Sequence, residues 1–296
     1  MMTEKYAIAN YPTKLEDYAE KYKEWIKFTR KDHILEMRLH TNDGPMEWNC
    51  DAQAAINAVC HDINNDPENE VLIITGTGDS FIGKSMAFDD PRAKASWPSD
   101  WRTPWSVVDC WYHNQSREAM ALAYIQIPVI SAINGAAFVH PEVALFSDIN
   151  ICSEDTMFGE AHFSAAQVVP GDGTWAIWRT LIGLNRARYM MYMGKLIDAK
   201  EALNLGVVNE VLPKDKLMDR AWEIAYKLME TPRYCRRLTR SFTSHQWKRM
   251  VLEEMENGLA HEGLAALCDN LEVWAENQVE RNGQNTMKVF KGLGKE

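Results

Sequence analysis

Two short stretches of the chain carry side chains able to move protons, and each sets them beside a turn. The first is Val139-His140-Pro141-Glu142, at the centre of NGAAFVHPEVALFSDINIC (134–152). Proline is favoured at the first helical position, so Pro141 predicts entry into a short helix through VALFSD, with His140 at or near its N-cap. The positive end of a helix disfavours a second proton on the ring, and a neutral imidazole can still donate one hydrogen bond to a substrate carbonyl. A turn histidine satisfied by its own backbone reads equally well from the spacing.

The second stretch is EAHFSAAQVVPGDG (160–173). His162 precedes a weakly polar segment, and Pro170-Gly171-Asp172-Gly173 forms a tight turn presenting one carboxylate where a helix begins near Thr174. A histidine and an aspartate on successive loops can act as a base and its orienter. The carboxylate holds the ring tautomer and stabilises the imidazolium formed when the ring takes a proton from water. Taken alone, Asp172 reads more readily as a helix cap. Two histidines and a carboxylate could also ligate a metal, but no HxH, HxxxH or His/Cys cluster is present, so neither metal nor cofactor is expected.

Three further positions are candidates with bland alternatives. TGTGDSFIGK (75–84) lacks the GxxxxGK[ST] spacing of a phosphate loop and reads as a glycine-rich turn, with amides such as that of Ser85 facing a ligand oxygen. Trp48 in MEWNC is an indole donor just past a strand end, or simple packing. Glu262 in LAHEGLAAL sits on a C-terminal helix, where a solvated face is the default.

The elements that must position these groups alternate. HILEMRLH (33–40) has the period-two pattern of a strand, DAQAAINAVCHDINND (51–66) has helical spacing, and EVLIITGTG (70–78) is a compact buried strand. DDPRAKASWPSDWRTPWSVVDCW (89–111), broken by three prolines, reads as a lid-like loop leading into a helix to about residue 125. PVISAING (128–135) and DINICS (148–153) repeat the buried strand. TWAIWRTLIG (174–183), NRARYMMYMG (185–194) and DAKEALNLG (198–206) read as helices closed by glycine, and VVNEVLP (207–213) as a last short strand. From residue 214 the chain predicts charged amphipathic helices broken at Thr231-Pro232. The result is an α/β core over 1–213 with parallel pairing and a helical subdomain over 214–296.

Composition narrows the function classes. With 296 residues, 46% hydrophobic and 25% charged, the chain has ample core, and its net charge of −10 has no basic block to follow phosphates or an anionic membrane. Nucleic acid is not an expected partner. No apolar window suggests a leader or a membrane span, and six scattered cysteines without a CxxC pair suggest neither a zinc knuckle nor a disulfide framework, so a reducing cytoplasm is expected. Eight of the eleven tryptophans lie before residue 180, which points to an aromatic pocket or to subunit contacts.

HTNDGPMEW, VLIITGTGDSF, IPVISAING, HPEVALFSDI, VPGDG, LGVVNEVL and GLAHEGLAA together resemble the crotonase superfamily, and within it the β-diketone hydrolases of the 6-oxocamphor hydrolase type. The resemblance runs from about Glu20 to Glu262. It implies a crotonase fold, a repeated ββα superhelix with a C-terminal helical subdomain that assembles trimers or dimers of trimers. It implies cleavage by water of the C–C bond between two carbonyls of a cyclic or bicyclic β-diketone, a retro-Claisen reaction giving a keto acid, with no cofactor. Trp48 then matches the pocket tryptophan, His140 the histidine of the HPE motif, His162 the base, Asp172 its aspartate and Glu262 the C-terminal glutamate. Members acting on acyl-CoA carry a Gly-Gly-Gly run where this chain has Val139-His140-Pro141; their first catalytic glutamate falls at Glu142, which otherwise reads as a favourable charge in the helix's first turn, and their second at His162. The competing expectations are an acyl-CoA hydratase, isomerase or thioesterase, or a non-catalytic binding protein on the same fold.

Overall fold

The computed structural model describes residues 12–86, 90–96, 105, 107–160 and 162–268. Much of the predicted lid at 89–111 and the end of the C-terminal subdomain therefore lie outside the described residues. Cys110 and Trp111 belong to a described helix, but their side chains are not described.

Six strands form the main sheet. They are β1 (Ile26–Lys31), β2 (Ile34–Leu39), β4 (Val71–Gly76), β7 (Val129–Ile133), β9 (Ile149–Ser153) and β12 (Glu210–Leu212), in the spatial order β1-β2-β4-β7-β9-β12. Only β1 and β2 pair antiparallel; every later neighbour is parallel. A second sheet, in the order β11-β10-β8-β5, joins β11 (Ile197–Asp198), β10 (Met157–Phe158), β8 (Ala136–Ala137) and β5 (Ser80–Ile82). A two-stranded ribbon pairs β3 (Glu47–Trp48) with β6 (Lys84–Ser85). Each turn of the chain thus contributes a main-sheet strand, a short second strand and a helix, which is the expected ββα superhelix.

The reason lies in the hydrophobic pattern. VLIITG, VISAI and INICS are continuous apolar runs because both faces of a parallel sheet are covered. On one face Ile34, Val71, Ile73, Ile130, Ala132 and Ile151 meet Leu217, Ala221 and Ala225 of the helix Leu217–Met229. The other face builds the larger core, with Ile56, Phe81, Phe146, Phe158 and Trp178. β1 escaped the sequence reading because IKFTRK lies at the sheet edge, where only Ile26 is buried, the other positions alternate between exposed and half-buried, and Lys27, Arg30 and Lys31 are charged.

Two expectations need correction. Cys50, at the start of the helix Cys50–Asn65, is disulfide-bonded, whereas Cys60, Cys152, Cys235 and Cys268 are free. Spacing along the chain misses such a bond because pairing requires only that two Cα atoms come close in space. The helix after His140 is a single turn, Glu142–Leu145, capped by Pro141, with His140 one position further out at φ 46°. Among the described residues no helix is long and apolar enough to cross a membrane.

Candidate active site

Four turns of the superhelix deliver the candidate groups to one buried place. Trp48 ends β3 and pairs with Ser85 across the two-stranded ribbon. His140 leaves β8 just before the one-turn helix, and its ring stacks on the Trp48 indole, with centroids 4.1 Å apart and planes 25° apart. His162 begins a short π-helical segment, His162–Ala166, after β10. Such wide turns recur at functional sites because they re-aim a side chain. The His162 ring meets His140 edge to face at 5.9 Å.

Asp172 arrives from the PGDG turn and divides its two oxygens. Oδ1 accepts hydrogen bonds from the Thr174 amide at 3.2 Å and the Thr174 hydroxyl at 2.6 Å, at the head of the helix Thr174–Ile182. Oδ2 lies 3.1 Å from His162 Nε2 and 3.3 Å from His140 Nδ1. The N-cap of that helix is Gly173, so Asp172 stands one residue ahead of it; one oxygen still serves the first amide of the helix and the other faces the two histidines.

Glu262 reaches this place because two glycines let its helix approach the turn. A Cβ on Gly171 would sit 2.2 Å from the Gly258 carbonyl oxygen, and one on Gly258 would sit 2.3 Å from that of Gly171. No other residue tolerates such a backbone contact. Glu262 stands one helical turn beyond Gly258 and is 3% exposed, so the solvated-face default fails for it.

Each histidine also holds a carboxylate two residues away in the chain. Glu142 Oε1 is 2.5 Å from His140 Nδ1, and Glu160 Oε1 is 2.5 Å from His162 Nδ1. Glu142 reads from the sequence either as the counterpart of a hydratase glutamate or as a favourable charge in the first turn of a helix, and Glu160 is missed by sequence reasoning. The signal was present as a mirrored spacing, His140-Pro-Glu142 and Glu160-Ala-His162. Glu118 was missed as well. It is buried on the helix Ser116–Ala123, accepts a hydrogen bond from Gln53 Nε2 at 2.9 Å, and favours a proton on His140 once it is itself ionised.

The electrostatics follow from burial set against this ring of acids. Burial opposes a charge on His140, but Glu142, Asp172 and Glu118 outweigh it and push the ring up to about 9. His162 is likewise penalised by burial and raised well above the ordinary histidine range by Asp172 and Glu160. Burial would lift Asp172, yet the His162 and His140 rings and the Thr174 hydroxyl hold it well below the usual carboxylate range. Burial, reinforced by neighbouring acids, pushes Glu118 and Glu262 to about 8, so both carry a proton at neutral pH. The expectation of a neutral His140 is therefore corrected. A one-turn helix has little dipole, and the Glu142 and Asp172 carboxylates overrule it.

One ring nitrogen each of His140 and His162 and an Asp172 oxygen lie within 4.8 Å of one another, a spacing that could hold a metal ion. His140 Nδ1 is already engaged by Glu142 at 2.5 Å, and the contacts present form an alternating chain Glu160, His162, Asp172, His140, Glu142.

A spiral of ββα turns with its polar site buried where successive turns meet defines a crotonase-type protein. The chain belongs to the enoyl-CoA hydratase/isomerase family, whose model matches residues 31–261. It is similar to the solved β-diketone hydrolase of the cyanobacterium Anabaena bound to (S)-3-oxocyclohexyl acetic acid, with 36% identity, a TM-score of 0.79, and 87% of this chain and 98% of that one covered. An enoyl-CoA hydratase/isomerase of Mycobacterium paratuberculosis shares the fold, with a TM-score of 0.73 at 21% identity over 87% of this chain and 98% of that one. Among sequence relatives, the carnitinyl-CoA dehydratase of Citrobacter koseri is 29% identical over 70% of this chain and 76% of its own length. The short-chain-enoyl-CoA hydratase of Clostridium acetobutylicum is 30% identical over 61% of this chain and 66% of its own.

Proposed function

We propose that the protein hydrolyses the C–C bond of a cyclic or bicyclic β-diketone to give a keto acid. The observation that carries this reading is Asp172 Oδ2 lying between the two imidazoles, with Trp48 stacked behind His140 and the protonated Glu262 facing the cluster. The Anabaena β-diketone hydrolase, which holds a keto acid, supports it.

One diketone carbonyl accepts hydrogen bonds from His140 and from the Trp48 indole, with the Ser85 amide nearby. The unprotonated form of His162, a minority at neutral pH because Asp172 and Glu160 favour the imidazolium, takes a proton from water, and the hydroxide adds to a carbonyl carbon to form a tetrahedral oxyanion. As that oxyanion collapses to a carboxylic acid, the bond from the attacked carbon to the carbon between the two carbonyls breaks, and its electron pair leaves on that carbon as the enolate of the second carbonyl. The proton returns to that carbon from the His162 imidazolium, or from Glu262, which His162 then reprotonates. A charged His140 suits this chemistry better than a neutral one, because charge-assisted hydrogen bonds are about twice as strong as neutral ones. Removing one such preorganised donor typically costs about 2.7–4 kcal/mol, on the order of a hundredfold or more in rate.

A second reading, acyl-CoA hydration or a related CoA reaction, is favoured by the relatives' names and by the glutamate at 142. Against it, that carboxylate is tied to His140, and the Val139-His140-Pro141 sequence stands where a thioester oxyanion site needs glycines.

The deciding experiment follows the loss of enolate absorbance of cyclic 1,3-diketones together with acid release, beside turnover of acyl-CoA substrates. Diketone loss that falls on the order of a hundredfold in His140→Ala and in His162→Ala is expected. Full turnover by either variant, or acyl-CoA turnover alone, overturns the reading.

A further inference from the structure

The geometry points to Glu160, rather than Asp172, as the positioning residue that sets the tautomer and orientation of the His162 ring. This rests on the reading of His162 as the base, and it changes how that base is built. The carboxylate folds back over two residues, so that its Oε1 accepts both the His162 backbone amide, at 2.9 Å, and the ring Nδ1–H, at 2.5 Å. Glu160 is 1% exposed, and its other oxygen accepts no hydrogen bond among the described residues, so the side-chain hydrogen bonds of the carboxylate go to His162, its amide and its ring.

Asp172 stands on the other edge. Its Oδ2 is 3.1 Å from His162 Nε2, yet neither imidazole gives it an aligned hydrogen bond, and it lies almost equally far from His140. A contact of ordinary length without alignment is an ion-pair contact and does not fix a tautomer. With Nδ1–H committed to Glu160, Nε2 is the nitrogen that gains and loses the proton. Asp172 then flanks the proton in transit, stabilising the imidazolium after it forms, while Glu160 holds the ring in both states. The groups facing His162 are Glu160 on its own segment, Asp172 from the PGDG turn, His140 from the turn after β8 and Glu262 from the C-terminal helix.

The competing role for Glu160 is to cap the π-helical segment through the His162 amide, which the neutral amide of Glu160→Gln can also do. The two roles separate in the proton spectrum of the substrate-free protein. A ring N–H in a hydrogen bond of this length to a buried carboxylate resonates far downfield, and His162→Gln assigns the signal against the comparable one from His140. The His162 signal should disappear or move upfield in Glu160→Gln and persist in Asp172→Asn. Persistence in Glu160→Gln with loss in Asp172→Asn overturns the proposal and returns the orienting role to Asp172. This measurement needs no turnover, so it stands even if the diketone reading fails.

With a diketone that is turned over, the acid limb of the kcat/KM pH profile should move down by about 1–3 pH units in Glu160→Gln, because an opposite charge beside the ring is lost. kcat should fall tenfold or more while KM stays within about threefold, since the ring does its work in the transition state. Glu160→Asp, which keeps the charge but reaches one methylene less far, should restore part of the limb's position. An unmoved limb in a folded Glu160→Gln protein, judged by an unchanged melting profile, also overturns the proposal.

Discussion

Replacing Gly258 by alanine puts two effects of opposite sign against each other. Gly258 lies inside the helix His245–Cys268, where alanine is favoured over glycine by about 0.8–1.0 kcal/mol. Propensity alone therefore predicts a more stable protein. The added Cβ would stand 2.3 Å from the Gly171 carbonyl oxygen, a backbone atom that no rotamer change can move. Reaching an ordinary contact requires the helix and the PGDG turn to part by about 1.1 Å, and overpacking of this kind costs about 1–3 kcal/mol. An immovable partner places the cost at the upper end, which leaves a net loss of about 2 kcal/mol and a melting temperature lower by about 4–8 °C. The same displacement separates Glu262, one turn beyond Gly258, from Asp172, the neighbour of Gly171. A misplacement of about 1 Å at a reacting group can cost about a hundredfold in rate. Thermal unfolding and diketone turnover measured on the same preparation check both halves. A Gly258→Ala protein that melts higher than wild type and turns over at the wild-type rate would refute the claim that this glycine contact builds the site.

Stability should fall steadily from about pH 6 to pH 9. The His140 ring, ordinarily near 6.5 and held at about 9 in the fold, contributes stability that is fully present below 6.5 and lost as pH rises through 9, about 3 kcal/mol in all. Glu118 and Glu262, raised to about 8 in the fold, add loss of the same sign at lower pH, whereas Asp172 gives its contribution up only on acidification below its usual range. A urea midpoint that does not change across that interval contradicts the charge assignment. Thr174→Val keeps the shape but removes the hydroxyl donor 2.6 Å from Asp172 Oδ1, and should lower the unfolding free energy by about 1–3 kcal/mol, read from the same urea curves. No change there would mean that the Thr174 amide alone satisfies that oxygen.

Much of the fold was legible because parallel strands announce themselves. VLIITG and VISAI carry apolar residues on both faces, and the glycines at 183, 194 and 206 mark helix ends where the backbone turns left-handed or leaves the helix. The edge strand IKFTRK hid behind its charges, and the disulfide at Cys50 hid because bonding partners in space need not be neighbours in sequence. At the site, residue types could be read and their electrical states could not. Whether His140 is charged depends on how many carboxylates converge on it, and Glu118 comes from a helix that no local pattern links to the HPE turn. Glu262 shows the same limit from the other side. LAHEGLAAL reads as a solvated helix face until Gly258 and Gly171 are seen to touch, because the burial of that glutamate is decided by a turn some ninety residues earlier.

The backbone at His140 explains why an imidazole can stand where the resemblance sets a glycine run. Its φ of 46° lies in the left-handed region, which glycine enters freely and other residues enter at about 1–2 kcal/mol. The turn after β8 therefore has a backbone shape that a glycine would also serve. Strain of that size persists only where the surroundings over-determine it. Here they do so through the Trp48 face on one side of the ring, Glu142 at 2.5 Å and Asp172 at 3.3 Å. A backbone amide donor offered by glycine is fixed in direction and neutral. An imidazolium in the same turn is a charged donor whose aim is set by three separate elements, and its charge depends on the acids those elements supply. The carboxylates of Glu142 and Asp172 therefore matter to this donor as much as the imidazole itself, since without them burial would strip the ring of its charge.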